Sequence, residues 1–309
     1  MLLTLAAVAF AAIYVGLWQR LFPVPIMRAW FALVLVVGLV TTGFFTFLAE
    51  CLKYVGASRK TTQLLSTYVC AVTFKIIVHL NPHIRIVTDE SWALWKDIPE
   101  PSAIVLNHCS FWDAFLFVGL APVSYIYNCK TLMKSSLRKI PIFGGVFDRV
   151  GHFPVYFKSG ADGDFAVDKD RQSEVTERVS RHLVDGGRVA IFPEGAVNKT
   201  PRRLQMFRFG TFATIFQHKL PTFAFIAVGN DVTWSAKDPL GGYPATIFVR
   251  IVPCLIDFAT DEPKAAAARI QCKLQQEIDR IYADHADIFG PADAPVPAVA
   301  AAAETKKDA

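Results

Sequence analysis

An imidazole and a carboxylate stand five residues apart in the segment Asn107-His108-Cys109-Ser110-Phe111-Trp112-Asp113. Histidine can take and return a proton near neutral pH, and a carboxylate on one ring nitrogen fixes the tautomer that leaves the other nitrogen basic. The spacing sets a condition on this chemistry. Residues five apart on a continuous helix are rotated by roughly 140° about its axis. His108 and Asp113 therefore meet only if the histidine lies on a loop ahead of a helix that begins near the aspartate. In that geometry the pair is equipped to deprotonate a hydroxyl. Alone, a histidine near an aspartate is more often a structural contact than a catalytic one.

Other reactive residue types are weaker candidates. Cys109 adjoins His108, but neighbours in sequence rarely point at each other, and a nucleophile must lie within hydrogen-bond reach of its base. His79 and His83 are four apart, yet Pro82 interrupts any helix that would align them and no glutamate follows His79, so no metal site is expected. Gly144-Gly145 and Gly186-Gly187 lack the pattern of a phosphate-cradling loop and read as turns.

The surrounding elements must place His108 at a junction. Ala103–Leu106 reads as a buried strand that ends at Asn107-His108, and 113–120 reads as a helix. The same order recurs: a helix over 172–184 stops at Gly186-Gly187, and a strand over 188–192 ends at Pro193-Glu194-Gly195. Further strands are expected at 84–88, 223–228 and 246–252, with a last helix over 265–286. Strands alternating with helices imply an α/β fold, a mixed central sheet flanked by helices, with chemistry at the strand C-terminal ends. His108 and Glu194 both fall just beyond such ends.

The 309 residues are 53% apolar, more than one soluble core requires, which points to a membrane. No charged side chain occurs from Met1 to Gln19 or from Ala29 to Ala49. The second run is long enough to cross about 30 Å of hydrocarbon, and the first is near the lower limit. Pro23 and Pro25 break the chain between them, so residues 1–50 are expected to form a membrane-associated helical hairpin. A cleaved signal peptide fits the first run less well, because it lacks a basic start. Residues 51–80 read as an interfacial helix or linker, 81–288 as the catalytic domain, and 289–309, rich in alanine and proline, as a disordered tail. The tail ends Lys306-Lys307-Asp308-Ala309, similar to the dilysine address for retrieval to the endoplasmic reticulum, although a lysine pair that merely solubilises a tail fits as well. The six cysteines form no CxxC pair or close ladder, which fits reduced thiols in a reducing compartment. The formal charge of +5 is not gathered into a run that would bind nucleic acid; it suits anionic lipid or phosphate-bearing substrates.

Asn-His-x4-Asp at 107–113, followed about eighty residues later by Phe192-Pro193-Glu194-Gly195, resembles the glycerophospholipid acyltransferase family, which includes the lysophosphatidate acyltransferases. The resemblance spans roughly residues 100–230 and rests on two motifs in the right order. It implies that His108 removes the proton of an acceptor hydroxyl, which attacks an acyl thioester directly, and that Asp113 orients His108. It also implies that Glu194 and Gly195 shape the acceptor site. The expected co-substrates are acyl-CoA and a lysophospholipid, foremost lysophosphatidate, at a bilayer surface, with no metal and no bound cofactor. Where the family has Thr-Arg-Ser after Glu-Gly, this chain has Ala196-Val197-Asn198. Lys158, Arg202 and Arg203, with Lys199, are the candidates to replace the missing phosphate-binding arginine. A second family block aligns either with 151–158, ending at Lys158, or with 144–149, ending at Arg149. Pro221 matches a family proline that opens a strand and is expected to be structural. Glycerol 3-phosphate, dihydroxyacetone phosphate or another lysophospholipid remain alternative acceptors, and a catalytically silent lipid-binding or scaffold protein is the alternative of another class.

Overall fold

The computed structural model describes residues 1–157 and 167–290. Eleven α-helices occur among the described residues: α1 (Leu2–Trp18), α2 (Val24–Cys51), α3 (Arg59–His79), α4 (Asp113–Leu120), α5 (Val123–Ile126), α6 (Phe143–Val150), α7 (Lys169–Val184), α8 (Phe209–Gln217), α9 (Asn230–Thr233), α10 (Pro263–Asp284) and α11 (Ala286–Phe289). The strands are β1 (Ile84–Thr88), β2 (Ser102–Leu106), β3 (Cys129–Lys134), β4 (Phe153–Val155), β5 (Arg188–Ile191), β6 (Thr222–Val228) and β7 (Ala245–Cys254). They form one sheet in the order β1-β7-β6-β2-β5-β3-β4. Every pairing is parallel except β6 with β7, so the sheet is mixed, as the sequence predicts.

Strand β2 lies at the centre and is buried on both faces, which is why it reads as an unbroken apolar run rather than an alternating one. Its side chains still divide with a period of two. Ile104 and Leu106 join a core with Phe31 of α2, Phe74 of α3 and Leu116 of α4. Ala103 and Val105 join a second core with Val175 of α7, Phe212 of α8 and Ile270 of α10. Helices thus cover both faces, and the β2 C-terminus is left as the exit for a loop.

The apolar N-terminal runs form α1 and α2, broken between Trp18 and Val24. Arg20 sits in this break and donates from Nη2 to the Ala245 carbonyl at 2.5 Å, tying the connection to the sheet. One stripe of α2, from Met27 and Phe31 through Thr42 and Thr46 to Ala49, is buried along the whole helix. Leu33, Val36, Val37, Val40, Phe44 and Phe47 stay exposed on it. By length and composition α2 and α3 are the two helices among the described residues able to cross a membrane. The 17-residue α1 is shorter.

Segment 51–80 is more than a linker. α3 is wedged between α2 and α4, with Phe74 stacked on Phe115 at 4.8 Å. Gly119 permits the close crossing: a Cβ there would lie 2.6 Å from Val78 Cγ2 and 2.9 Å from the Phe74 carbonyl. The expected tail lies beyond the described residues from position 291 onward, as does its terminal lysine pair.

Candidate active site

Because β2 and β5 run parallel with Val105 opposite Ile191, the loops that follow them leave the sheet side by side. β6 lies on the other side of β2 in the same direction and delivers Gly229 and Asn230 to the same edge. His108 lies on the loop and Asp113 opens α4, the arrangement that the five-residue spacing requires.

His108 Nδ1 is 2.8 Å from Asp113 Oδ2. The same oxygen accepts the backbone N–H groups of Cys109 at 2.8 Å and Ser110 at 2.9 Å. Asn230 Nδ2 donates to the other oxygen, Oδ1. Asp113 is therefore a buried cap of its own loop as well as the partner of the imidazole. With an ionised carboxylate on Nδ1, the proton of a neutral ring resides there, and Nε2 is the basic nitrogen. The His108 side chain is 21% exposed, against 3% for Asp113, so the imidazole is reachable and the carboxylate is not. The Phe192 ring lies 4.4 Å from the imidazole, centroid to centroid. Asn107 fixes the loop root by exchanging two hydrogen bonds of 2.9 Å with the backbone of Ala227 on β6.

Glu194 is buried at 3% exposure with both oxygens engaged by the protein. Oε1 accepts from the His108 backbone N–H at 2.7 Å, and Oε2 accepts from Asn198 Nδ2 and the Gln205 N–H at 2.9 Å each. Burial raises its pKa above the usual carboxylate range, opposed by these donors. Its place is that of a clamp between two loops. Asn198 adds to the clamp, its N–H donating to the His108 carbonyl at 2.6 Å. Gly195 is exposed with φ +74°, and a Cβ there would run into Arg208 Nε.

The cations divide into two groups. Arg202 Nη2 donates to the Phe289 carbonyl at 2.7 Å, and its guanidinium stacks 4.5 Å from the Tyr282 ring. Arg203 is exposed and 3.8 Å from Asp279 of α10. Arg149 pairs with Glu50 of α2 at 3.0 Å, so the alternative alignment ends in a contact with the N-terminal helices. Lys158 lies outside the described residues. Two other cations share one aromatic neighbour. Arg208 Nε donates to the Glu194 carbonyl at 3.4 Å, and Arg208 and Lys134 each lie 5.9 Å from the Phe157 ring. Arg208 lies in Phe207-Arg208-Phe209-Gly210, where nothing local in the sequence singles out the arginine. Lys134 has no motif to mark it.

Cys109 is buried, and burial, reinforced by Asp113, pushes its thiol well above the usual range, which disfavours a thiolate nucleophile. The backbone N–H groups at 109–113, around the start of α4, are of a kind that could stabilise an oxyanion. Most of these are taken: Cys109 and Ser110 serve Asp113, and Trp112 N–H donates to Ser110 Oγ at 3.0 Å. Asp113 N–H reaches the Ser110 carbonyl at 3.4 Å. The physical reason is that Asp113 uses this turn to hold itself. No group of three or more His, Cys, Asp and Glu residues able to hold a metal ion occurs among the described residues.

No curated protein matches the sequence. The fold is similar to the crystal structure of the 1-acyl-sn-glycerophosphate (LPA) acyltransferase PlsC from Thermotoga maritima, with a TM-score of 0.64 at 15% identity, over 84% of this chain and 96% of that one. Residues 95–228 match the acyltransferase family, a span that contains both His108 with Asp113 and the Glu194 clamp. Together with the two motifs and their meeting at one sheet edge, that match identifies residues 95–228 as an acyltransferase domain.

Proposed function

We propose that the chain transfers an acyl group from acyl-CoA to the free hydroxyl of lysophosphatidate, giving phosphatidate and CoA. The observation that carries this reading is the 2.8 Å contact of His108 Nδ1 with a buried, fully held Asp113, beside an exposed Gly195 loop. His108 Nε2 takes the proton of the acceptor hydroxyl as its oxygen attacks the thioester carbonyl carbon. The carbon–sulfur bond then breaks, and the imidazolium returns the proton to the departing thiolate. Asp113 holds the tautomer and stabilises the imidazolium. Glu194 acts by fixing the loop that carries His108, and Gly195 keeps the approach open. Arg208 and Lys134 are the cations we assign to the acceptor phosphate, with Lys158, the residue after Phe157 in sequence; a bidentate guanidinium and a point-charge ammonium both suit it.

The membrane supplies both substrates in this scheme. α2 carries protein along one face for its full length, so we place α1 and α2 against a single leaflet, their exposed apolar faces in lipid. A second acceptor class is favoured by one feature: Val197 stands where the family places its arginine, and the Asn198 side chain next to it is spent on Glu194 and the Arg203 carbonyl. Glycerol 3-phosphate or another lysophospholipid fits this departure. The test is CoA release from oleoyl-CoA by protein in nanodiscs, across lysophospholipids and glycerol 3-phosphate. Turnover highest with lysophosphatidate is expected. A different best acceptor replaces the substrate and keeps the chemistry, and no acceptor-dependent release from folded protein overturns both.

A further inference from the structure

Around the start of β3 five cationic side chains open onto a cavity of about 380 Å3. Arg59 and Lys60 come from the first turn of α3, Lys130 from β3, and Arg178 and Arg181 from α7; Asp185 is the one carboxylate in the lining. The lining's excess of four positive charges is most of the +5 carried by the whole chain. The cleft is remote from the His108 edge. β2, β5 and β3 run in one direction, His108 follows the C-terminal end of β2, and Lys130 sits at the N-terminal end of β3.

These charges are not balanced internally. Arg181 pairs with Glu177 at 2.8 Å. Among the described residues no carboxylate oxygen lies within 4.0 Å of a side-chain nitrogen of Arg59, Lys60, Lys130 or Arg178. Lys130 is the inner wall. Its Nζ donates to Gln63 Oε1 at 3.0 Å and lies 5.7 Å from the Phe153 ring, and Arg178 lies 5.8 Å from the same ring. Gln63 is itself fixed by close approach to Gly151, where a Cβ would come within 2.5 Å of its Nε2. Burial, and then Arg178, Arg59 and Lys60, lower Lys130 to a pKa of about 8. α3 begins with Arg59 and Lys60 and has no acidic residue in its first turn, although a helix N-terminus already carries partial positive charge. Such a concentration destabilises the fold unless an anion sits in it, and phosphate offers several acceptor oxygens to converging donors.

We propose that this cleft is a second anion site, distinct from the His108 site, that takes a phosphate group of either an anionic lipid headgroup or a soluble phosphate. The exposed Leu52, Tyr54 and Val55 lie just ahead of Arg59 and Lys60, which favours the headgroup.

Two assays on the full chain in detergent separate the sources and need no turnover. One is flotation with phosphatidylcholine vesicles, with and without phosphatidate; the other is calorimetric titration with inorganic phosphate. Phosphatidate-dependent binding is expected to fall about fivefold for each cation removed. Lys60→Gln, on the exposed helix surface, and the pair Lys130→Gln with Arg178→Gln measure this, while His108→Ala should bind like the unmodified protein. Loss of vesicle binding without phosphate binding supports the lipid source. Phosphate binding that disappears in the variants supports the soluble one. If neither probe separates the variants from the unmodified protein, or if Lys53→Gln outside the cleft weakens binding equally, the site does not exist.

Discussion

The loop after β2 and the loop after β5 reach the same edge of the sheet, but they are held by different kinds of contact. Asp113 takes three of its four nitrogen donors from within five residues of itself: His108, Cys109 and Ser110. Asn230 is the one distant donor. Glu194 draws on His108, 86 positions away, and on Gln205, 11 positions away. One loop is a nearly self-contained device, and the other is a clamp that exists only once the sheet has formed. The difference teaches where chemistry and placement separate. The histidine–aspartate pair is assembled locally, whereas its position relative to the Glu194–Gly195 loop is a property of the tertiary fold. The two loops should therefore fail differently when altered.

The largest effect is expected at the local pair. His108→Ala should lower kcat about 10²–10⁴-fold, the usual contribution of a positioned general base, with thermal stability unchanged. Activity near the original level, measured by CoA release, would sink the chemistry assigned to this loop. Asn230→Ala leaves the Asp113 carboxylate without its distant donor, and hydrogen bonds to charged groups contribute about 1.5–3 kcal/mol. We expect kcat to drop about 10–100-fold with little change in acceptor KM; a change confined to KM would assign Asn230 to acceptor binding instead.

Changes to the clamp should spread into placement and stability. Glu194→Gln turns one acceptor oxygen into an amide donor facing N–H groups, a cost of about 1–3 kcal/mol. It should lower Tm and raise acceptor KM together, and a pure kcat effect with normal Tm would contradict the clamp. Gly195→Ala strains a left-handed backbone by about 1–2 kcal/mol and displaces Arg208. Acceptor KM should rise several-fold, with turnover of bound substrate largely kept.

The smallest effect concerns Asp231, next to Asn230 at the end of β6. Burial, with a further contribution from Asp113, raises its carboxyl to a pKa of about 6. The folded state thus binds a proton that the unfolded chain releases near pH 4. The stability from this group is complete below that value and is lost as pH rises through about 6. Asp231→Asn should stabilise the protein at pH 7 by about 1–3 kcal/mol and give no gain at pH 4. Equal Tm shifts at both pH values would remove the titration from the explanation.

Much of the frame is legible along the chain because it is local. The strands at 84–88, 103–106 and 223–228 are found within a residue or two of their expected ends, since apolar runs between turn residues carry their own signal. Strands β3 and β4 are not legible. Cys129–Lys134 mixes Lys130 and Lys134 with apolar residues, and Phe153–Val155 is too short to show a period. α3 reads as interfacial because its sequence shows a mixed apolar surface but not the two helices that cover it.

By itself the sequence determined that a histidine and an aspartate would share a strand-to-helix junction, and that Phe192-Pro193-Glu194-Gly195 would end a strand. It also determined that the first fifty residues would be apolar helices. Only the tertiary structure decided that Glu194 spends both oxygens on protein donors, that Arg202 and Arg203 face α10 and α11, and that Arg208 and Lys134 flank Phe157. It also gathered Arg59, Lys130 and Arg178 around one cavity. The reason is physical. Backbone propensity and spacing act over a few residues, whereas the partner of a buried charge is chosen by which strands lie side by side, and that register is set by the packing of the whole sheet.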